Sequence, residues 1–394
     1  MNHVTVEVDM LIVIIVIGVV IALSVWSNRL GIAPPLILMV VGVGVSYFLS
    51  IPQINLEIPV IEPEWILAVI LPPLLYAAAI AIPTVDLRRD FAAVGGLAVV
   101  LVIVSAVVLG FIFHWLIPGV SLPLGIAIGA ILSPTDAAAT TIVRRLGVPH
   151  RVGLILQGES LLNDATALVL LRSAIVAAGA VADSFSLWDA VGDFLWAALA
   201  AAVIGILVGW LGVQVRRIVR SPAPATAISL IVPFVAWLPA EVVHASGLVA
   251  AVAAGLTAAH LGPKHMDARQ RLAERSNWHT MEFLLEGAVF LLMGLELRTL
   301  VNDVYADHET IGVALGLAGI GFLVVLILRS GYLAIVLQGT KARTERQNAR
   351  RDRWRAADPQ EREARMRARI ERARPAVQAQ FENHFDALMT RFRR

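Results

Sequence analysis

No cysteine occurs anywhere in the 394 residues. Disulfides, thiolate metal sites and cysteine nucleophiles are therefore excluded together. Charge is almost as scarce: Asp, Glu, Lys and Arg make up 16% of the chain, where a soluble domain carries about a quarter. What charge there is crowds at one end. Sixteen of the 32 Lys and Arg fall between Lys341 and Arg394, beside eight acidic residues. The sequence pI of 9.3 thus reports a basic tail rather than a basic fold, and no nucleic acid partner is expected.

Apolar residues fill the rest, at 58% of the chain with a mean hydropathy of +0.77. Runs of 18 or more such residues read as membrane spans. About eleven are present, roughly at 9–26, 32–50, 64–82, 92–117, 121–143, 152–180, 191–214, 222–240, 243–262, 281–300 and 310–338. The segment before the first run, MNHVTVEVD, contains Glu7 and Asp9 but no Lys or Arg. That is not the basic flank of a secretory signal, so a retained first helix is expected. The expected fold is all-α: a polytopic membrane protein with a membrane domain at 1–338 and a charged cytoplasmic segment at 339–394.

The loops alternate in charge. Arg29, Arg88, Arg89, Arg144, Arg145, Arg151, Arg216, Arg217, Arg220, Lys264, Arg269, Arg271, Arg275 and the tail fall on one side. The stretches IPQINLEIPVIEPE, VADSFSLWDA and NDVYADHET fall on the other, where Arg298 is the lone cation near a helix end. Cationic loops face the cytoplasm. The amino terminus is then outside and the tail inside, as an odd number of spans requires. The Arg/Glu/Ala-rich tail is expected to be helical to about Pro375, solvated or touching anionic lipid headgroups through its arginines.

Carboxylates inside the apolar runs need explaining. An Asp or Arg at the centre of a membrane helix costs about 2.5 to 3.5 kcal/mol. The run at 152–180 nevertheless contains GESLLNDATALVLL, with Glu159, Asn163 and Asp164, and then Arg172. Residues four apart share a helix face, which aligns Glu159 with Asn163 and Ser160 with Asp164. Hydrogen-bonded helix packing explains a Ser or an Asn; two carboxylates within a turn and a half point to function. The preceding run holds SPTDAAAT, where Pro134 removes a backbone donor just ahead of Thr135 and Asp136. An interrupted helix is expected there, its freed backbone groups and half-helix dipoles able to face an ion. Arg329, deep in another apolar run, is expected to be the counter-ion of a buried carboxylate, with Glu159 the first candidate. Glu241 near an outer helix end has either a solvated, funnel-lining role or a structural one. His244, His260, His265 and His279 sit near span ends with no carboxylate cluster beside them, so no metal centre is expected there. Gly205 and Gly209 have the spacing of helix packing.

A small cation crossing a membrane needs hard oxygen ligands and a means of release. A carboxylate in a partly dry cavity supplies both, because proton and cation compete for it. If the carrier rearranges only when Asp164 holds Na⁺ or H⁺, exchange follows. Ser160 and Thr135 could add neutral oxygen ligands. Asn163 brings an amide but no second titrating charge, so one proton per Na⁺ is the natural count. Two other classes compete with exchange. An intramembrane aspartyl protease would use Asp136 and Asp164 as a dyad, but its expected GxGD context is absent. A non-transporting scaffold or sensor is the other.

The motifs resemble those of the monovalent cation:proton antiporters, in the branch that contains the sodium/proton exchangers. GESLLNDATALVLL looks like that family's signature helix and SPTDAAAT like its interrupted helix. LPPLLY at 71–76, AEVVHASGLVAAVAAGL at 240–256 and Arg329 fall in matching order, over about residues 9–338. The resemblance implies an inverted-repeat fold with a dimerisation scaffold and a mobile core, the core helices lying at about 92–180 and 281–338, in a homodimer of the plasma membrane, the inner membrane in a bacterium. It implies Na⁺ bound at Asp164, Ser160 and Thr135, Asp136 balancing the helix break, Asn163 marking the electroneutral branch, and a Glu159–Arg329 pair. No cofactor is implied beyond the transported Na⁺ and H⁺, and K⁺ or Li⁺ could replace Na⁺. Some relatives carry a carboxylate just after LPPLL, where this chain has Tyr76, Ala77 and Ala78. On the resemblance, 339–394 correspond to a cytoplasmic loop, and the family's last two membrane helices are expected to be lacking from these 394 residues.

Overall fold

The computed structural model describes residues 16–23, 25–27, 32–49, 63–83, 94–134, 150–179, 187–219, 221–306 and 311–356. Among the described residues the regular structure is helical, with no strand. After a helical segment within Val16–Ser27 comes α1, Pro34–Leu49. The next helix enters at Pro63–Trp65 and widens to a π-helical turn at Ile66–Ile70 before α2, Leu71–Ala81. The prolines explain the widening. Pro72 and Pro73 have no N–H for the carbonyls one turn back, and Leu71 N–H bonds instead to Ile66, five residues back. A second π-helical turn, Gly96–Val100, leads into α3, Leu101–Leu116.

Gly119, at φ +86, reverses the chain, a conformation that an L side chain resists. The Ser121 hydroxyl then accepts the Leu124 N–H at 3.4 Å and caps α4, Leu122–Leu132. The helix stops just before Ser133 and Pro134, as the sequence of SPTD leads one to expect. Thr135 and Asp136 lie outside the described residues. Longer helices follow: α5, His150–Gly179; α6, Leu187–Ile218; α7, Pro222–Val242; α8, Gly247–His265; α9, Ala268–Ala306; and α10, Ile311–Ala356. Two of these exceed their apolar runs. α9 begins thirteen residues before the expected span at 281, and α10 continues past 338 into the charged segment. Charge ends a lipid span without ending a helix, since Arg, Glu and Gln are good helix formers.

Among the described residues, five helices are each long and apolar enough to cross a membrane: Gly96–Leu116, Val152–Gly179, Val191–Ile218, Pro222–Val242 and Gly312–Ile335. Shorter apolar helices lie at Val16–Ser27, Pro34–Phe48, Ile66–Ala81 and Leu122–Leu132. Large apolar side chains stand exposed along α6, among them Leu199, Leu207 and Leu211, and along α10 at Phe322 and Leu326. A surface of that kind suits lipid, not water.

Lipid offers helices no hydrophobic reward for association, so they pack through small residues and hydrogen bonds. The largest buried cluster accordingly draws most of its members from alanine: Ala201, Ala236, Ala240, Ala245, Ala250, Ala254 and Ala258, around Tyr76 and Trp278. Gly205 and Gly209 of α6 lie directly on α8. A Cβ added at Gly209 would come within 2.6 Å of the Ala254 carbonyl oxygen, and one at Gly205 within 2.7 Å of Ala253 Cβ. Gly205→Val should therefore separate α6 from α8 and lower the thermal midpoint in detergent, at a cost of about 1–3 kcal/mol. An unchanged midpoint would show that the seam has room to give.

The chain divides into two compact units, Met1–Leu328 and Arg329–Arg394. The first contains α1–α9 and the start of α10. The described part of the second is the helical remainder of α10.

Candidate functional site

α5 carries the polar stripe. Thirty residues long, it packs against α2, α3, α4, α6, α8 and the π-helical turn before α3. Its sides are distinct. Leu161 and Ala165 face α2 and α8, in a cluster with Leu75, Ala79, Ile82, Leu248 and Val252. Glu159 and Asn163, on another side, are 2% and 1% exposed, and Ser160 is 5% exposed. Asp164 is half-buried. Glu159, Asn163 and Asp164 all have interaction partners. Thr166, below them, gives its hydroxyl hydrogen to the Leu162 carbonyl at 2.7 Å, inside its own helix.

Mid-helix, then, three polar residues are buried and a fourth, Asp164, is half-buried. Of the residues read from the sequence, Glu159, Ser160, Asn163 and Asp164 are brought together on α5. Thr135 and Asp136 lie outside the described residues. Arg329 lies on α10, in the second unit. Among the described residues no group of three or more His, Asp or Glu could hold a metal ion.

Two ion pairs escaped the sequence reading. Arg216, read as a cytoplasmic loop cation, belongs to the last turn of α6 and is fully buried. Its Nη1 donates to Glu274 Oε1 of α9, and its Nε donates to the Gly212 carbonyl at 3.0 Å. Tyr76 lies within electrostatic reach of both charges and rests on Trp278, ring centroids 4.9 Å apart. Trp278 Nε1 donates to Ser229 Oγ at 2.6 Å. The cluster joins α2, α6, α7 and α9. The second pair, Arg172 with Glu241, links α5 to the end of α7 at 2.7 Å, so Glu241 is engaged rather than merely solvated. Partner choice across 58 and 69 residues leaves no local pattern. The one available signal was that Arg216 follows a long unbroken apolar run and so belongs to its helix.

The fold is that of an all-helical membrane protein with a polar-centred helix, and comparison with known proteins places it. The family described as sodium/hydrogen exchanger, transmembrane, matches residues 12–349. The chain belongs to that family. It is 37% identical over 293 residues to an uncharacterized Na⁺/H⁺ exchanger, YjcE, of Escherichia coli K12, covering 72% of this chain and 52% of that protein. It is 30% identical over 311 residues to the sodium, potassium, lithium and rubidium/H⁺ antiporter of Bacillus subtilis 168, covering 76% of this chain and 45% of that protein. The chain thus spans about half the length of these curated relatives. The solved structure of the sodium proton antiporter MjNhaP1 from Methanocaldococcus jannaschii at pH 8 shares the fold, with a TM-score of 0.60 and 19% identity, over 82% of this chain and 79% of that one.

Proposed function

We propose that this protein exchanges Na⁺ for H⁺ across the membrane, one for one, with both ions competing for the carboxylate of Asp164. The observation that carries the reading is the partial access of Asp164 on a helix whose neighbouring Glu159, Ser160 and Asn163 are buried. Ser160 supplies a neutral oxygen one turn from the carboxylate. Thr135 is the proposed further ligand and Asp136 the charge that balances the break after α4. Asn163 is a neighbour that does not titrate, so each cycle moves one positive charge each way and membrane voltage has no net charge to act upon.

The selectivity of the site is a second matter. A curated relative is named as an antiporter of sodium, potassium, lithium and rubidium, and hard oxygen ligands alone do not fix cavity size. K⁺/H⁺ or Li⁺/H⁺ exchange is therefore the alternative reading. The test uses proteoliposomes with an internal pH dye and an imposed gradient of Na⁺, K⁺ or Li⁺. Na⁺ is expected to drive the largest pH change, unaltered when the membrane potential is clamped at different values. A response that scales with voltage would overturn the one-for-one count. A response larger with K⁺ would replace the substrate.

A further inference from the structure

We propose that Arg172 and Glu241 are positioning residues, their ion pair setting the axial position of the helix that carries Asp164 against the corner between α7 and α8. The inference rests on the exchange reading only in taking Asp164 as the cation carboxylate.

The corner is built to stay still. His244 takes a left-handed φ of +58, which a non-glycine residue adopts only when its surroundings hold it there. Ala245 N–H bonds to the Ala240 carbonyl at 2.8 Å, and Ser246 N–H to the Ala197 carbonyl of α6 at 3.2 Å. Trp196 Nε1, also from α6, donates to the Val243 carbonyl at 3.2 Å. Glu241 Oε1 accepts the Gly247 N–H at 3.0 Å, at the first turn of α8. That leaves Oε2 for Arg172 Nη1, at 2.7 Å. One oxygen thus fastens the carboxylate to the corner and the other reaches across to α5.

Leu161 and Ala165 of α5 meet Leu75, Ala79, Leu248 and Val252 in an apolar cluster, and such contact is non-directional. Arg172 lies on the same face of α5, about 12 Å beyond Asp164 by the rise of a helix. The side chains are 47% and 30% exposed, so the pair biases a conformational equilibrium by at most about five-fold. A bias of that size suits a contact that holds one arrangement and must release in another, not one that holds the fold together.

The absence of native cysteine makes the test direct. Ala167→Cys places one thiol on α5, on the face of Ser160, and its labelling rate by a membrane-impermeant maleimide in vesicles reports how far that face is open. Arg172→Gln, Glu241→Gln and the double variant are compared with the parent. Glutamine at 241 still accepts from Gly247, so only the charge is removed. Each single variant should change the rate about two- to five-fold, in the same direction. The double variant should match either single one, and Arg172→Lys should stay near the parent. The same coupling should be read independently in the apparent KM for Na⁺. Unchanged rates and KM in both single variants, or effects that multiply in the double variant, would overturn the proposal. Exchange with indifferent labelling and KM removes the pair's role alone. Coupled labelling without any exchange in the parent removes the exchange reading and leaves the pair.

Discussion

Asp164→Asn is expected to reduce Na⁺-driven proton movement to the level of empty vesicles while the protein still folds. The amide has nearly the shape of the carboxylate but neither its charge nor a proton to release. It can neither draw Na⁺ from water nor exchange it for H⁺. Folding should survive because a neutral amide inside a membrane costs less than a carboxylate; the thermal midpoint in detergent should be unchanged or raised. Loss of transport together with loss of the midpoint would indicate a structural role instead. Retained transport would move the site elsewhere, with Glu159 the next candidate on α5. The comparison is sharpest against Asn163→Ala, where the carboxylate remains and only a buried amide is lost.

Glu274→Ala is expected to be the most destabilising single change outside α5. Its partner Arg216 is fully buried. Removing the carboxylate leaves an uncompensated cation among Tyr76, Trp278 and the alanines of the largest cluster. Breaking a buried pair in this way costs about 3–5 kcal/mol, whereas replacing both partners with apolar residues of similar volume is often neutral. The double variant Arg216→Met/Glu274→Leu should therefore recover most of the thermal midpoint lost in Glu274→Ala. A parental midpoint in Glu274→Ala would mean that water reaches Arg216 and that the pair is not closed. Because the cluster joins α2, α6, α7 and α9, and α2 in turn packs on α5, the damage should extend to transport through the surface against which α5 sits.

How far could these features be read from the sequence? The apolar runs predict the helices well where hydropathy and helix length coincide, as at α7. They mark the edges poorly where a helix continues beyond lipid. The start of α9 at Ala268 follows from helix propensity, to which a hydropathy window is blind, whereas the Arg/Glu/Ala-rich composition of the tail led one to expect the helix that α10 continues through Ala356. The stripe of Glu159, Ser160, Asn163 and Asp164 was legible because its information is local: four polar residues at helical spacing in an apolar run. The burial of Arg216 was not, because its partner sits 58 residues away on a helix with its own charged first turns. Glu241 is the intermediate case. Its place near a helix end was readable, while its choice of Arg172 and the Gly247 N–H depends on a corner whose left-handed His244 carries no glycine to announce it.

One carboxylate serving two ions is the central claim, and competition tests it most directly. The measurement is the initial rate of Na⁺-driven proton movement in proteoliposomes, taken over a range of Na⁺ concentrations at several pH values on the cation-binding side. Protons that compete for Asp164 should raise the apparent KM for Na⁺ as pH falls and leave the maximal rate unchanged, with no signal at any pH in Asp164→Asn. A KM independent of pH, or a pH-dependent signal that persists in Asp164→Asn, would contradict the account.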